Sequence, residues 1–393
     1  MLNIVTSERT PIKIWASDLE DGALEQAKNL ANLPFIFKHI VLMADSHQGY
    51  GMPIGGVLAT QGVVIPNAVG VDIGCGMLAV RTSFSDITNK ELKEIMGLIR
   101  ELIPLGYNHQ TWEQPLESMP LLDGNFVPKF EQTPICSIEW SSARKQVGTL
   151  GGGNHFIEIQ KGDDKHIWFM LHSGSRNLGK KVADNYNKRA IELNEKYYSS
   201  VPKEAQLAFL PLDTTVAELY LNEMHCCIDF ALCNRRLMAE NIKKCFNEIL
   251  PGIEFGDEIN IAHNYAAMEH HFGKNVLIHR KGATRAYEGE FGIVPGSQGS
   301  ASYIVIGKGN KESFQSCSHG AGRRMGRKEA QRRLDLKEQQ ELLNDQNIVH
   351  SVRNKTDLDE APGAYKDIEE VMRNQEDLVE IVVRLKPLGV IKG

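Results

Sequence analysis

Apolar positions change their spacing early in the chain. From Asp21 to Leu33, Ala23, Ala27 and Leu30 share one face of a helix that Pro34 stops. Short apolar runs joined by glycines follow: Ile40 to Met43, Gly62 to Ile65 and Met77 to Val80 predict buried strands. Thr88 and Glu91 make a capping box for a helix through Ile95, Met96, Ile99 and Ile103, closed by Pro104. Residues 106–140 are loop-rich. Strands return at Phe156 to Ile159 and His166 to Leu171. Lys180 to Tyr198 and Glu218 to Leu250 predict long helices, and Val276 to Ile306 strands with turns. Lys328 to Leu343 is helical and Leu378 to Leu385 a late strand. Glycine-rich turns at 49–76, 148–153, 296–299 and 318–322 are spread widely. That spread predicts several loops meeting at one site within a single large α+β domain.

Composition narrows the class. At 393 residues, 42% hydrophobic and 24% charged, the chain can bury a sizeable core. Met1 to Trp15 has no apolar run, so no signal peptide is expected. No run reaches the roughly 18 apolar residues of a membrane helix, so no membrane partner is expected. The cysteine count of seven, odd and without disulfide spacing, fits free thiols and a cytoplasmic location. A net charge of −6 gives no global pull on nucleic acid. RNA contact would need local basic stretches, of which there are two. One holds Arg280, Lys281 and Arg285; the other, from Gly322 to Arg333, holds Arg323 and Arg324. Either could equally be a solvated helix face.

Five segments carry candidate chemistry. Asp72 and Cys75, set among Gly70, Gly74 and Gly76, can reach one metal from a tight turn, although a structural turn explains them too. The glycine triplet Gly151 to Gly153 runs into Asn154, His155, Phe156, Ile157 and Glu158. His155 could share a site with its neighbours only from the turn itself, since successive strand residues face opposite sides. His172 follows an apolar strand, where active-site groups often sit. His263 precedes His270 and His271 at a spacing that a helix would align, making them rival ligands. His319 lies among small residues, beside Arg323 and Arg324 and ahead of a helix whose dipole suits phosphate.

Carboxylate, thiolate and imidazole together favour zinc or iron on donor chemistry alone, and five ligands suggest two ions sharing one. No Gly-Lys pair is followed by Ser or Thr, so there is no P-loop, and the Lys-x-Asp-Gly nucleophile of ordinary ligases is absent. Covalent nucleotide activation would therefore need another nucleophile, and neutral histidine is competent near pH 7.

These segments, in this order, resemble the RtcB family of RNA ligases. The resemblance also takes in Asp45 to Gly51, Pro53 to Gly56, His279 to Arg285, Pro295 to Ser297, Ser302 with Tyr303, and Pro387 to Gly393. It spans nearly the whole chain and implies one RtcB-type domain over residues 1–393, with mixed β-sheets flanked by helices around a loop-built metal site. Asp72, Cys75, His155, His172 and His263 match the ligands of a two-manganese site, with Cys75 bridging. His319 matches the histidine that becomes guanylylated by GTP. The guanylate pocket corresponds to Asn154, His155, Phe156, Ile157, Glu158, His263, Asn264, Pro295, Gly296, Ser297, Gln298, Ser302, His319, Gly320, Ala321, Gly322 and Lys392.

The implied activity joins an RNA 3′-phosphate or 2′,3′-cyclic phosphate to a 5′-hydroxyl through histidine–GMP and RNA-(3′)pp(5′)G. An archease-like activator serves some relatives. Ser46 stands where the family pattern has Val, and the helices over 180–250 match nothing assigned. There, Cys226, Cys227 and Cys233 beside His225 would be a second metal site or buried thiols. Two alternatives remain: a two-metal phosphoesterase, needing neither His319 nor Lys392, and a non-catalytic RNA-binding paralogue.

Overall fold

A computed structural model describes residues 1–197 and 199–393. Two large sheets dominate the α+β fold. The first has six strands in the order Asn3–Val5, Ile12–Ile14, Ile36–His47, Ile54–Thr60, Lys274–Lys281 and Asn264–His271. It is mixed, because Ile12–Ile14 and Ile36–His47 run parallel. The second has seven strands, all antiparallel: Phe255–Ala262, Gly76–Thr82, Ile167–Ser173, Phe156–Gly162, Val379–Lys392, Ser302–Gly307 and Phe291–Val294.

Gly76–Thr82, Phe156–Gly162 and Ile167–Ser173 of the second sheet are buried on both faces for most of their length, so they read as near-continuous apolar runs. Leu78 and Val80 pack with Ile157, Phe169 and Leu171 against Leu92, Ile95 and Ile99 of helix Asn89–Leu102. Met238, Ile242 and Phe246 of helix Thr215–Ile249 complete that layer. Met77 and Ala79, on the opposite parity, face Met170, Ile304 and Val383. Each such large side chain stabilises the fold by about 1.5–3 kcal/mol on burial. The Thr88–Glu91 capping box forms as expected and opens helix Asn89–Leu102.

Several expectations shift. Residues 106–140 contain the start of a helix, Pro134–Gln146, whose buried face is built from Cys136, Trp140, Ala143 and Gln146. With so few large apolar residues its periodicity is weak, although Pro134 at the first turn is a start signal. Lys328 to Leu343 is two helices, Arg327–Arg333 and Leu336–Asn344, because the Asp335 side chain caps the second by accepting from Glu338 N. The late strand runs on to Lys392. The helix expected over Lys180 to Tyr198 spans Arg176–Lys196, and Tyr198 lies outside the described residues. Cys226 and Cys227 are buried thiols beside Cys136, with Cys136 Sγ 4.0 Å from Cys227 Sγ.

His270 and His271 lie on a strand, not a helix. Seven strand residues carry His270 roughly 23 Å along the chain from His263. There His270 meets Asn275 and His271 meets Glu269, so neither rivals His263.

Candidate active site

Strand register assembles the site. At one end of the second sheet, Gly76 pairs with Ser173 and Ala262, and Phe156 pairs with His172 and Lys392. Cys75 and His155 therefore sit just before their strands, His172 one residue before its strand ends, and Lys392 at the end of the neighbouring strand. His172 is thus inside the strand rather than after it. His263 is the residue at which the chain passes from the second sheet into the first, and its N–H donates to Cys75 O.

The side chains of all five expected metal ligands converge. Cys75 Sγ is 3.2 Å from His172 Nε2 and 3.5 Å from His155 Nε2. His155 Nε2 is 3.3 Å from Asp72 Oδ2, and His172 Nε2 is 3.4 Å from His263 Nε2. Cys75, His155 and His172 alone form a buried group that could hold a metal ion. The tautomers support this. His155 Nδ1 lies 2.9 Å from Leu150 O and His172 Nδ1 3.2 Å from Asn154 O, and a carbonyl can only accept, so both Nδ1 atoms carry the proton. The Nε2 atoms of both rings face the Cys75 thiol, with Asp72 beside one and His263 beside the other, an arrangement that a cation satisfies.

Burial, aided by the neighbouring cationic groups, holds His172 and His263 well below the usual histidine range, so both are neutral and able to ligate. Burial would raise the Asp72 carboxyl, but the His155 hydrogen bond and charge outweigh it and bring it below its ordinary value. Burial and the Asp72 charge push the Cys75 thiol up, an effect that a bound dication reverses.

His319 follows the short strand Ser316–Ser318 and faces the same point, its ring centroid 4.8 Å from that of His263. Asp45, fully buried, accepts from His319 Nδ1 at 2.6 Å and from His319 N at 3.2 Å. The next helix begins only at Arg327, so no helix dipole reaches His319, contrary to the expectation from sequence. Gly322 lets this loop close on Asp45: its φ is +74°, and a Cβ there would strike the Asp45 carbonyl.

These groups open into one cleft of about 1940 Å3. Asn154, Phe156, Glu158, His263, Asn264, Pro295 to Gln298, His319 to Gly322 and Lys392 all line it. Ser302 stands behind, its Oγ accepting from Gly296 N. The Ile157 side chain is instead turned into the core beneath the sheet. Of the basic candidates, Lys281 and Arg323 reach the cleft, and burial lowers the Lys281 amine to about 7. Arg280 does not: it is fully buried and ion-paired with Glu269, which corrects its assignment to an RNA-facing surface. Arg285 pairs with Glu290 away from the cleft, and Arg324 is exposed and does not line it.

Sequence reasoning passed over Asp45 as a site residue and missed Asn234 and Arg235 on the long helix. Asn234 Oδ1 accepts from Gly148 N and Thr149 N, and its Nδ2 donates to Gly174 O. Arg235 Nη1 donates to Gly74 O and Ser173 O, the residues adjoining Cys75 and His172. An Asn–Arg pair at positions that the helical period aligns with Phe230, Ala231 and Met238 is the signal that could have exposed them.

Glu158 supplies a pH test. Burial raises its carboxyl to about 8, against an ordinary value of 4.5. Between those values the folded chain binds a proton that the unfolded chain has lost, so stability falls as pH rises through that window. Glu158→Gln should flatten this fall, read as the change in urea midpoint between about pH 5 and 8. An unchanged slope would remove Glu158 as its source.

A family model described as tRNA-splicing ligase RtcB matches residues 26–393. The RNA-splicing ligase RtcB of Escherichia coli K12 is 37% identical over 419 aligned positions, covering 99% of each chain. The tRNA-splicing ligases RtcB of Nanoarchaeum equitans and Thermococcus kodakarensis are 35% and 31% identical, each alignment covering 98% of this chain and 95% of the relative. With agreement running through nearly the full length of every partner, the chain belongs to the RtcB family and is an RNA ligase.

Proposed function

We propose that the whole chain, residues 1–393, is a GTP- and manganese-dependent ligase that joins RNA 3′-phosphate or 2′,3′-cyclic phosphate ends to 5′-hydroxyl ends. One observation carries this reading: the Asp45 carboxylate against His319 Nδ1 at 2.6 Å. A carboxylate accepts, so Nδ1 holds the proton and Nε2 presents its lone pair. That nitrogen attacks the α-phosphorus of GTP; a P–N bond forms, the P–O bond to pyrophosphate breaks, and Asp45 stabilises the positive ring. An oxygen of the RNA 3′-phosphate then displaces His319, giving RNA-(3′)pp(5′)G. The 5′-hydroxyl of the second RNA attacks the 3′-phosphorus and GMP leaves. Asp72, Cys75, His155, His172 and His263 would hold the two manganese ions, which would offset charge on the transferring phosphoryl oxygens. Lys281 and Arg323 would neutralise phosphate, and Lys392 and Glu158 would read guanine. Free thiols throughout fit a reducing cytoplasm.

The protein incubated with manganese and α-labelled GTP should acquire an acid-labile, base-stable label. No label in any of several divalent metals would favour a two-metal phosphoesterase instead. Cys75→Ser should lower manganese affinity at least about tenfold, because a neutral hydroxyl replaces a thiolate. Calorimetric titration with unchanged affinity and stoichiometry would count against Cys75 as a ligand.

A further inference from the structure

Three cations and a tyrosine hydroxyl meet at one carboxylate. Glu360, only 5% exposed, accepts from Arg323 Nη1 at 3.0 Å and lies 3.5 Å from Arg327 Nη2 through Oε1. Its Oε2 lies 3.3 Å from Lys392 Nζ and also accepts from the Tyr365 hydroxyl. The Glu360 backbone carbonyl takes Gln298 Nε2 at 2.9 Å, which ties in the Pro295–Gln298 loop. The Arg323 guanidinium lies over the Tyr365 ring, 5.1 Å from its centroid. Burial opposes ionisation of Glu360, but Lys392, Arg323 and Arg327 outweigh it and hold the carboxyl below its ordinary value. Glu360, Arg323, Arg327 and Lys392 all line the cleft.

The two carboxylate oxygens divide the labour. Oε1 faces the arginines that follow His319, and Oε2 faces the lysine at the end of strand Val379–Lys392. Three cations against Glu360, with the Asp359 carboxyl also near them, leave a net positive charge for an incoming anion. Arg323 is held further by Met325 O through Nε and by Asp359 O through Nη2, so it is pre-aimed and loses little freedom when phosphate arrives.

We propose that Glu360 is the positioning residue that couples base reading to phosphate binding, fixing Lys392 and the arginines at one spacing so that the cleft selects GTP over ATP. This rests on the guanylate reading of the cleft. Glu360 acts through its three cationic partners. Glu360→Gln keeps the shape and the Tyr365 contact but removes the charge. Lys392 then loses its anchor, while the arginines gain freedom to meet a phosphate.

The test compares GTP, ATP and inorganic pyrophosphate binding by the manganese-loaded protein, wild type against Glu360→Gln and Glu360→Asp. Expected for Glu360→Gln is a loss of GTP-over-ATP preference of about tenfold, the scale of one hydrogen bond to a charged group. Pyrophosphate affinity should be retained or raised. Glu360→Asp, which keeps the charge, should restore part of the preference. A merely structural role would weaken all three ligands together and lower the melting temperature, which would overturn the inference. So would a Glu360→Gln protein that discriminates GTP from ATP like wild type. If wild type itself shows no GTP preference, the guanylate reading fails, and this inference with it.

Discussion

His319→Ala reduces nucleotide labelling of the protein to background while the fold stays intact. The residue is only partly buried and packs no core, so its loss leaves every sheet in place. No other imidazole can replace it. His155, His172 and His263 turn their Nε2 atoms toward one another and the thiol, and His47 Nδ1 is bound to Asp45 O rather than to the carboxylate. Asp45→Asn probes the same couple from behind. An amide can donate to Nδ1 as well as accept, so the ring can flip to the tautomer with its proton on the attacking nitrogen. Labelling should slow by about 10²–10⁴-fold, by analogy with carboxylate–histidine couples elsewhere. Single-turnover labelling with unchanged circular dichroism is the measurement. Label that survives in His319→Ala at wild-type rate removes the nucleophile from its proposed role.

Arg235→Met carries the largest expected cost in stability. The guanidinium is fully buried and its partners are neutral: Gly74 O at 3.0 Å, Ser173 O at 2.9 Å and Asn260 Oδ1 at 2.8 Å. Burial lowers its pKa to about 10, and the Cys75 and Asp72 groups act to raise it. Methionine fills similar volume but leaves three acceptors without a donor. At about 1–3 kcal/mol for each abandoned buried group, a loss on the order of 3–5 kcal/mol is expected after partial relaxation. Denaturant titration reads it directly. Metal affinity should fall as well, because Arg235 clamps the backbone on either side of the ligand pair. A shift below about 1 kcal/mol would mean that water takes its place.

The parts of this fold legible in the sequence are those set by local pattern. The Thr88–Glu91 box, the apolar run through Met77 to Val80 and the glycine turns each state their structure within a few residues. His155, His172, His263 and His319 stand out because each punctuates a strand or a run of small residues. What escaped depends on partners far along the chain. Arg280 reads as a surface cation until Glu269, across the hairpin, makes it a buried one. Asp45 lies within a recognisable segment, but only the crossing of the His319 loop makes its carboxylate functional. Glu360 has no local signature at all, since each of its cations arrives from another element.

The interior placing of strand Val379–Lys392 bears on how the molecule is made. Val379–Lys392 lies between Phe156–Gly162 and Ser302–Gly307, so both neighbours keep an unpaired edge until this much later segment of the chain docks. Such long-separation pairing is slow, and open apolar edges recruit other chains while they wait. Refolding from denaturant is therefore expected to lose yield steeply as protein concentration rises, and catalytic competence to emerge only once this strand has docked.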